Sequence, residues 1–163
     1  MVTTSAGILP YRIAADGTVS ALVAHMGGPF WTRKDAGAWS IVKGEYDAET
    51  ESALDAARRE FREELGLDAP EGEYTELGTF AYSSGKRVTV FVVDGGGFDT
   101  SGTLFGEFEM EWPPRSGRTA SFPEVDRVEW VSLDRAREML VKGQRPALDR
   151  LADLVGGENS PSP

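Results

Sequence analysis

The chain has no cysteine, and its single histidine is His25. Disulfides, thiolate zinc sites and cysteine nucleophiles are therefore excluded, and one histidine cannot build a histidine-rich metal centre. Basic residues are scarce as well, 17 against 27 acidic ones, for a formal net charge of −10. Such a surface does not hold nucleic acid by neutralising its phosphates, so no stable nucleic-acid complex is expected. A phosphorylated small molecule is not excluded, because a few carboxylates that recruit a hard cation reverse the sign locally. Long hydrophobic runs are missing too: the densest, residues 88–93, falls far short of the roughly 18 apolar residues of a membrane span. The first twelve residues, MVTTSAGILPYR, carry no basic leader before an apolar stretch. A soluble, cytoplasmic domain without a membrane partner is the expectation.

What is present suffices for one domain. Of 163 residues 40% are apolar, enough for a packed core. The domain is expected over residues 1–155, with 156–163 (GGENSPSP) as a frayed tail. Residues 5–12 and 19–25 are β-prone runs separated by Ala-Asp-Gly, a hairpin signal. Residues 26–38 match neither period and read as a long loop, which in a compact domain is usually functional. A short strand is predicted at 39–42, a helix over about 51–65 ending at Gly66, and strands at 74–83 and 86–94 joined by Ser-Gly. A Gly-rich loop at 94–102, a strand at 103–111 and a Pro/Gly-broken stretch at 112–123 follow. A strand at 128–131 leads to helices from Ser132 to about 141 and over 146–155. No regular βαβ repeat emerges, so a mixed sheet between helices is the predicted α/β architecture.

The 51–65 helix carries the most chemistry. With Glu60 at zero and about 100° per residue, Glu63 falls near 300° and Glu64 near 40°. Leu54, Ala57, Phe61 and Leu65 fill the adjoining arc from about 60° to 140°. One side is thus core, and its neighbour is an acidic strip. Like charges one turn apart repel, so a strip this dense makes sense around a hard divalent cation with a preference for oxygen ligands. Arg59 flanks the strip and can orient a carboxylate. The plain alternative is a solvated acidic face, ordinary in so acidic a chain.

Gly44, Glu51 and the run Arg59-Glu60-Phe61-Arg62-Glu63-Glu64-Leu65-Gly66-Leu67 resemble the Nudix box, G-x5-E-x7-R-E-U-x-E-E-x-G-U with U a bulky apolar residue. From Glu51 onward every specified position matches. One departure precedes the helix: six residues, not five, separate Gly44 from Glu51, which leaves Glu49 and Glu51 as alternatives for the first glutamate. The resemblance covers residues 44–67 by motif and most of the chain by element order. It implies a Nudix-like α/β/α sandwich and a pyrophosphohydrolase acting on a nucleoside diphosphate linked to another group. A dinucleoside polyphosphate or a nucleoside triphosphate is the expected nucleotide-derived substrate, and Mg²⁺ the expected cofactor, with Mn²⁺ as substitute. Implied metal ligands are Glu60, Glu63, Glu64 and the Gly44 carbonyl, with Arg59 as a catalytic partner. Lys43, with Lys34 or Arg33 from the long loop, would offset phosphate charge, although each is equally a surface cation. Glu124, just before the 128–131 strand, is the preferred loop base, with Asp126 and Glu129 as competitors. His25 is set aside as a packed or surface residue. Trp31 and Trp39 would stack a base or belong to the core. Tyr82, 15 residues beyond the box, lies where some dinucleoside polyphosphate hydrolases of the family have a tyrosine. A Nudix-fold nucleotide sensor without catalysis and an acidic protein-docking face are the competing functions.

Overall fold

The computed structural model describes residues 4–82 and 84–159. Nine strands, β1 (Thr4–Ile13), β2 (Val19–Met26), β3 (Trp39–Ser40), β4 (Val42–Glu45), β5 (Thr75–Ala81), β6 (Arg87–Asp94), β7 (Glu107–Glu111), β8 (Thr119–Pro123) and β9 (Val125–Ser132), are joined by three helices, α1 (Ala53–Leu65), α2 (Leu133–Met139) and α3 (Arg145–Asn159). Strand β1 is central. It runs parallel to β6 from Thr4 to Tyr11 and pairs antiparallel with β2 at its far end, Tyr11–Ile13 against Val19–Ala21. Toward its start β1 pairs instead with β4, Ser5–Ile8 against Glu45–Val42, while β3 pairs with β2 through Ala24 and His25. The β1–β2 hairpin therefore splays open, and residues 39–45 fill the wedge. Strands β9 and β5 add to β2 and β6, giving a seven-stranded mixed sheet.

Each face of the sheet is covered by helix, as strands apolar on both sides require. On one face α1 buries Ala56, Ala57, Phe61 and Leu65 against Ala6, Ile8, Leu22 and Val42. On the other, Met139, Leu148, Leu151 and Val155 from α2 and α3 pack on Leu9, Val23, Val90 and Val92. Of the apolar arc foreseen for 51–65, Ala57, Phe61 and Leu65 are buried and Leu54 is half-buried; truncating Phe61 would cost roughly 3–5 kcal/mol. Helix α1 starts one residue after Ser52, whose hydroxyl accepts from the Asp55 amide at 3.2 Å, and stops at left-handed Gly66 (φ 68°).

Some boundaries differ from the sequence expectation. The single strand at 39–42 is two, β3 and β4, because the chain changes partner from β2 to β1 at Ile41. The 103–111 strand is only β7, and the stretch at 112–123 contains β8, its antiparallel partner. Its prolines and glycine at 113–117 form the turn, and Pro123 closes the strand, so neither breaks a ladder interior. Helix α3 continues past Val155 to Asn159, so part of the expected tail is helical; residues 160–163 lie outside the described residues. Among the described residues no helix is long and apolar enough to cross a membrane.

Candidate active site

Helix α1 places its acidic strip beside its buried face, so the three glutamates differ in exposure. Glu64 is buried, Glu60 half-buried and Glu63 exposed. Strand β4 approaches this strip at Gly44, where a Cβ would fall inside the Glu60 carboxylate. A side chain there would displace the carboxylate, so the box glycine is a cradle for Glu60. Two further acids arrive from elsewhere: Glu107 opens β7, and Glu124 sits between β8 and β9. Glu124 is fixed by its backbone, which donates to the Gly106 carbonyl (2.8 Å) and accepts from the Gly27 amide (3.0 Å). Together Glu60, Glu63, Glu64, Glu107 and Glu124 line a cavity of about 150 Å³.

Arg59 braces one side of this cluster. Its guanidinium grips both oxygens of Glu51 at 2.9 Å, and also donates to Glu60 at 2.8 Å and Glu63 at 3.2 Å. Helical side chains lean toward the N-terminus, which lets Arg59 reach back to a residue before the helix begins. Those hydrogen bonds, Glu51's first, raise the Arg59 pKa, and the Arg59 bond holds Glu51 below the usual carboxylate range. Glu51, not Glu49, is therefore the partner of the box arginine; Glu49 is exposed, its amide capping onto Asp47. The extra residue is absorbed in the 45–50 loop.

Burial sets the electrostatics. Desolvation pushes Glu64 up to about 8; Glu124 adds to the push, and the nearby Lys43 ammonium opposes it. Glu60 is also raised by burial, with Arg59 pulling the other way. The all-oxygen donor set, the Gly44 cradle and this surplus of poorly solvated negative charge fit a hard divalent cation. Among the described residues no three Asp, Glu or His side chains are already converged at ligating geometry. The arrangement is an open bowl that a cation would draw together.

Of the remaining sequence candidates, Lys43 and Tyr82 come together at a second cavity on the other side of β4. Trp31, Arg33 and Lys34 line neither cavity. Trp31 packs on the α2/α3 core with the Lys34 ammonium 5.3 Å from its ring, and Arg33 is exposed. Trp39 is buried, its indole N–H donating to Asp35 at 2.9 Å, so it is core rather than a stacking surface.

Sequence reasoning missed Glu107, and left open whether His25 is packed or on the surface. The alternation of EFEME in β7 marks Glu107 as outward-facing, but only the fold brings it to α1. His25 is fully buried, with Nδ1 2.7 Å from Asp126 and Nε2 2.6 Å from the Lys34 carbonyl. A carbonyl only accepts, so Nε2 donates to Lys34, while Nδ1 faces the Asp126 carboxylate at hydrogen-bond distance. The ring thereby ties the end of β2 to the 27–38 loop and to Asp126, two residues beyond Glu124.

The comparisons agree with this architecture. The NUDIX domain model matches residues 5–151. A 17.7 kDa uncharacterized protein from the e-segB intergenic region of Enterobacteria phage T4 is 38% identical over 92 residues; the match spans 56% of this chain and 58% of that relative. The Caenorhabditis elegans Ap4A hydrolase, solved as a binary complex, superposes with a TM-score of 0.62 at 18% identity, covering 96% of this chain and 99% of that one. The NUDIX domain of Shewanella oneidensis NrtR complexed with ADP ribose gives 0.61 at 12% identity, covering 95% and 89%. The MutT protein of Methanosarcina mazei gives 0.56 at 20% identity, covering 98% and 96%. At such identities the solved structures speak for the fold. Taken with the family match over residues 5–151 and the Arg59–Leu67 signature on α1, they place the chain in the NUDIX domain family.

Proposed function

We propose that the protein is a Mg²⁺-dependent pyrophosphohydrolase that cuts a diphosphate bond in a nucleotide-derived substrate of the cytoplasm. The observation that carries this reading is the bowl of five carboxylates, braced by Arg59 and cradled at Gly44. Glu60, Glu63 and Glu64, with the Gly44 carbonyl, would hold the ion, and Mn²⁺ would substitute. When bound, the ion would neutralise diphosphate oxygens and make water more acidic.

The protein's own groups do the rest. Water is the nucleophile: its oxygen bonds to phosphorus, the bridging P–O bond breaks, and the electron pair leaves on the departing phosphate. The released proton goes to a carboxylate that is free of metal ligation. Glu124 is best placed, being exposed at the bowl and held by backbone bonds on both sides. Arg59 keeps Glu60 and Glu63 in position, and Lys43 offsets charge developing on the phosphates. Tyr82 contacts substrate from the cavity beyond β4, whereas Trp31, Arg33 and Lys34 gain no support from the cavity linings.

The test is a screen of dinucleoside polyphosphates, nucleoside triphosphates and nucleotide sugars with Mg²⁺, with products resolved by chromatography. Turnover that disappears in excess chelator is expected. Binding without turnover of any compound would instead make the protein a nucleotide-sensing module.

A further inference from the structure

Strand β9 carries one residue too many for its partner. The β2–β9 pairing is regular from Ser20 with Ser132 to His25 with Arg127, but the next pair is Met26 with Val125. Asp126 therefore has no residue opposite it and forms a β-bulge. The bulge reverses the side-chain alternation of β9. Val131 packs toward α2 and α3, whereas Val128 and Trp130 pack toward α1. Strict alternation would send Val125 to the side of Val131, yet Val125 lies in the α1 core. The extra residue has turned the start of β9 onto the face that holds the bowl. Glu124, immediately before it, lines that bowl.

A bulge interrupts the ladder, so its geometry needs another anchor. His25 supplies it. The ring is fully buried and set edge-on to Trp39, with centroids 5.0 Å apart, so it cannot swing away. Nδ1 meets the Asp126 carboxylate at 2.7 Å, and Nε2 donates to the Lys34 carbonyl at 2.6 Å. Two residues further on, the Gly27 amide donates to the Glu124 carbonyl at 3.0 Å. A Cβ on Gly27 would overlap the Pro123 carbonyl oxygen, so the chain after β2 runs flush against the peptide before Glu124. His25 and Gly27 thus hold Asp126 and Glu124, with Val125 buried between the two ties.

We propose that His25 is a positioning residue for Glu124: through Asp126 it fixes the bulge that carries the Glu124 backbone to the bowl. This rests on the reading of Glu124 as the group that takes the proton of the attacking water. A base must sit within hydrogen-bond reach of that water. The Glu124 side chain is exposed, so packing does not hold it and its backbone must. A displacement of about 1 Å at such a group costs up to roughly 100-fold in rate. The imidazole does not line the bowl; it lies on the α2/α3 side of the sheet with Trp39 and acts only through Asp126.

The link is best cut at Asp126, whose side chain is 26% exposed, because replacing the fully buried His25 also unsettles the core. Asp126→Ala removes the contact. Asp126→Asn keeps it, since an amide offers Nδ1 both a donor and an acceptor, and gives up only the 3.7 Å ion pair with Arg127. With Mg²⁺ and dinucleoside polyphosphates or nucleoside triphosphates, Asp126→Ala should lose roughly 10- to 100-fold in kcat with KM within about twofold. Asp126→Asn should recover most of that loss. In a Glu124→Gln background, Asp126→Ala should cost less than about twofold more, because its effect passes through Glu124. Amide hydrogen exchange followed by NMR reads the anchor without substrate. In Asp126→Ala the Gly27 and Glu124 amides should exchange roughly tenfold or more faster, while those of β1 and β6 keep their wild-type rates. Unchanged exchange at Gly27 and Glu124 overturns the inference. So does a loss in kcat that adds in full to that of Glu124→Gln, or an Asp126→Asn protein as impaired as Asp126→Ala. Faster local exchange in a protein that hydrolyses none of these compounds overturns the hydrolase reading alone.

Discussion

Replacing Glu64 with glutamine should make the metal-free protein more stable while destroying its activity, and the gain should grow with pH. Glu64 is 9% exposed, and its pKa rises from 4.5 in the open chain to about 8 in the fold, mainly by burial and then by the charge of Glu124. Between those values the folded state keeps a proton that the unfolded state has released, so raising the pH favours unfolding. The penalty is small near pH 5. It grows by about 2 kcal/mol between pH 5 and pH 7 and levels off once the pH passes the folded pKa. Glutamine has the same shape and no charge, so Glu64→Gln should match wild type near pH 5 and exceed it by roughly 2–3 kcal/mol at pH 7. Chemical denaturation in excess chelator at pH 5, 6, 7 and 8 measures this. The difference between the two proteins isolates Glu64 from every other titrating group. Parallel pH dependences would refute the argument, because they would mean that Glu64 titrates alike in both states. The same variant should lose several orders of magnitude in kcat with Mg²⁺, since it removes a ligand charge. Stability would be sacrificed here for the proposed cation site.

Three further outcomes follow from the geometry. Glu51→Ala should lower kcat by roughly 10- to 100-fold by freeing Arg59 from its bidentate anchor, whereas Glu49→Ala should be close to neutral; the reverse order in a side-by-side assay would move the box register. Glu124→Gln should cut kcat by roughly 10²–10⁴-fold with little change in Mg²⁺ affinity by calorimetry, and near wild-type turnover would shift the base to Glu107, or to Glu60 were it released from the ion. His25→Phe should destabilise the fold by about 2–4 kcal/mol, because it leaves the Lys34 carbonyl and Asp126 without their buried partner; an unchanged melting curve would show that neither group needs the ring.

Local patterning made α1 legible. The 3.6-residue spacing of Leu54, Ala57, Phe61 and Leu65, the cap at Ser52 and the stop at Gly66 are all short-range features, so the helix and its acidic strip follow from the chain alone. The β1–β2 hairpin was visible for the same reason. Strand β8 was not, because a proline or glycine in sequence does not say whether it lies in a turn or in a ladder. Partners of β3 and β4 were equally hidden: Ile41 is where the chain leaves one neighbour for another, and pairing across the sheet leaves no periodic mark.

The site divides along the same line. The sequence by itself determined that Glu60, Glu63 and Glu64 share one arc of a helix with Arg59 at its edge, because helical geometry fixes those angles within a single turn. Only the tertiary structure decided the rest. It chose Glu51 over Glu49, since a loop insertion shifts register by an amount that helix spacing cannot report. It turned Gly44 into the cradle of Glu60, brought Glu107 and Glu124 to the bowl from segments more than forty residues downstream, and collected Lys43, Lys86 and Lys142 around one cavity. It also gave three glutamates of one strip three different environments, because burial, which raises Glu64 most, is a property of what packs against a side chain and not of its neighbours in sequence.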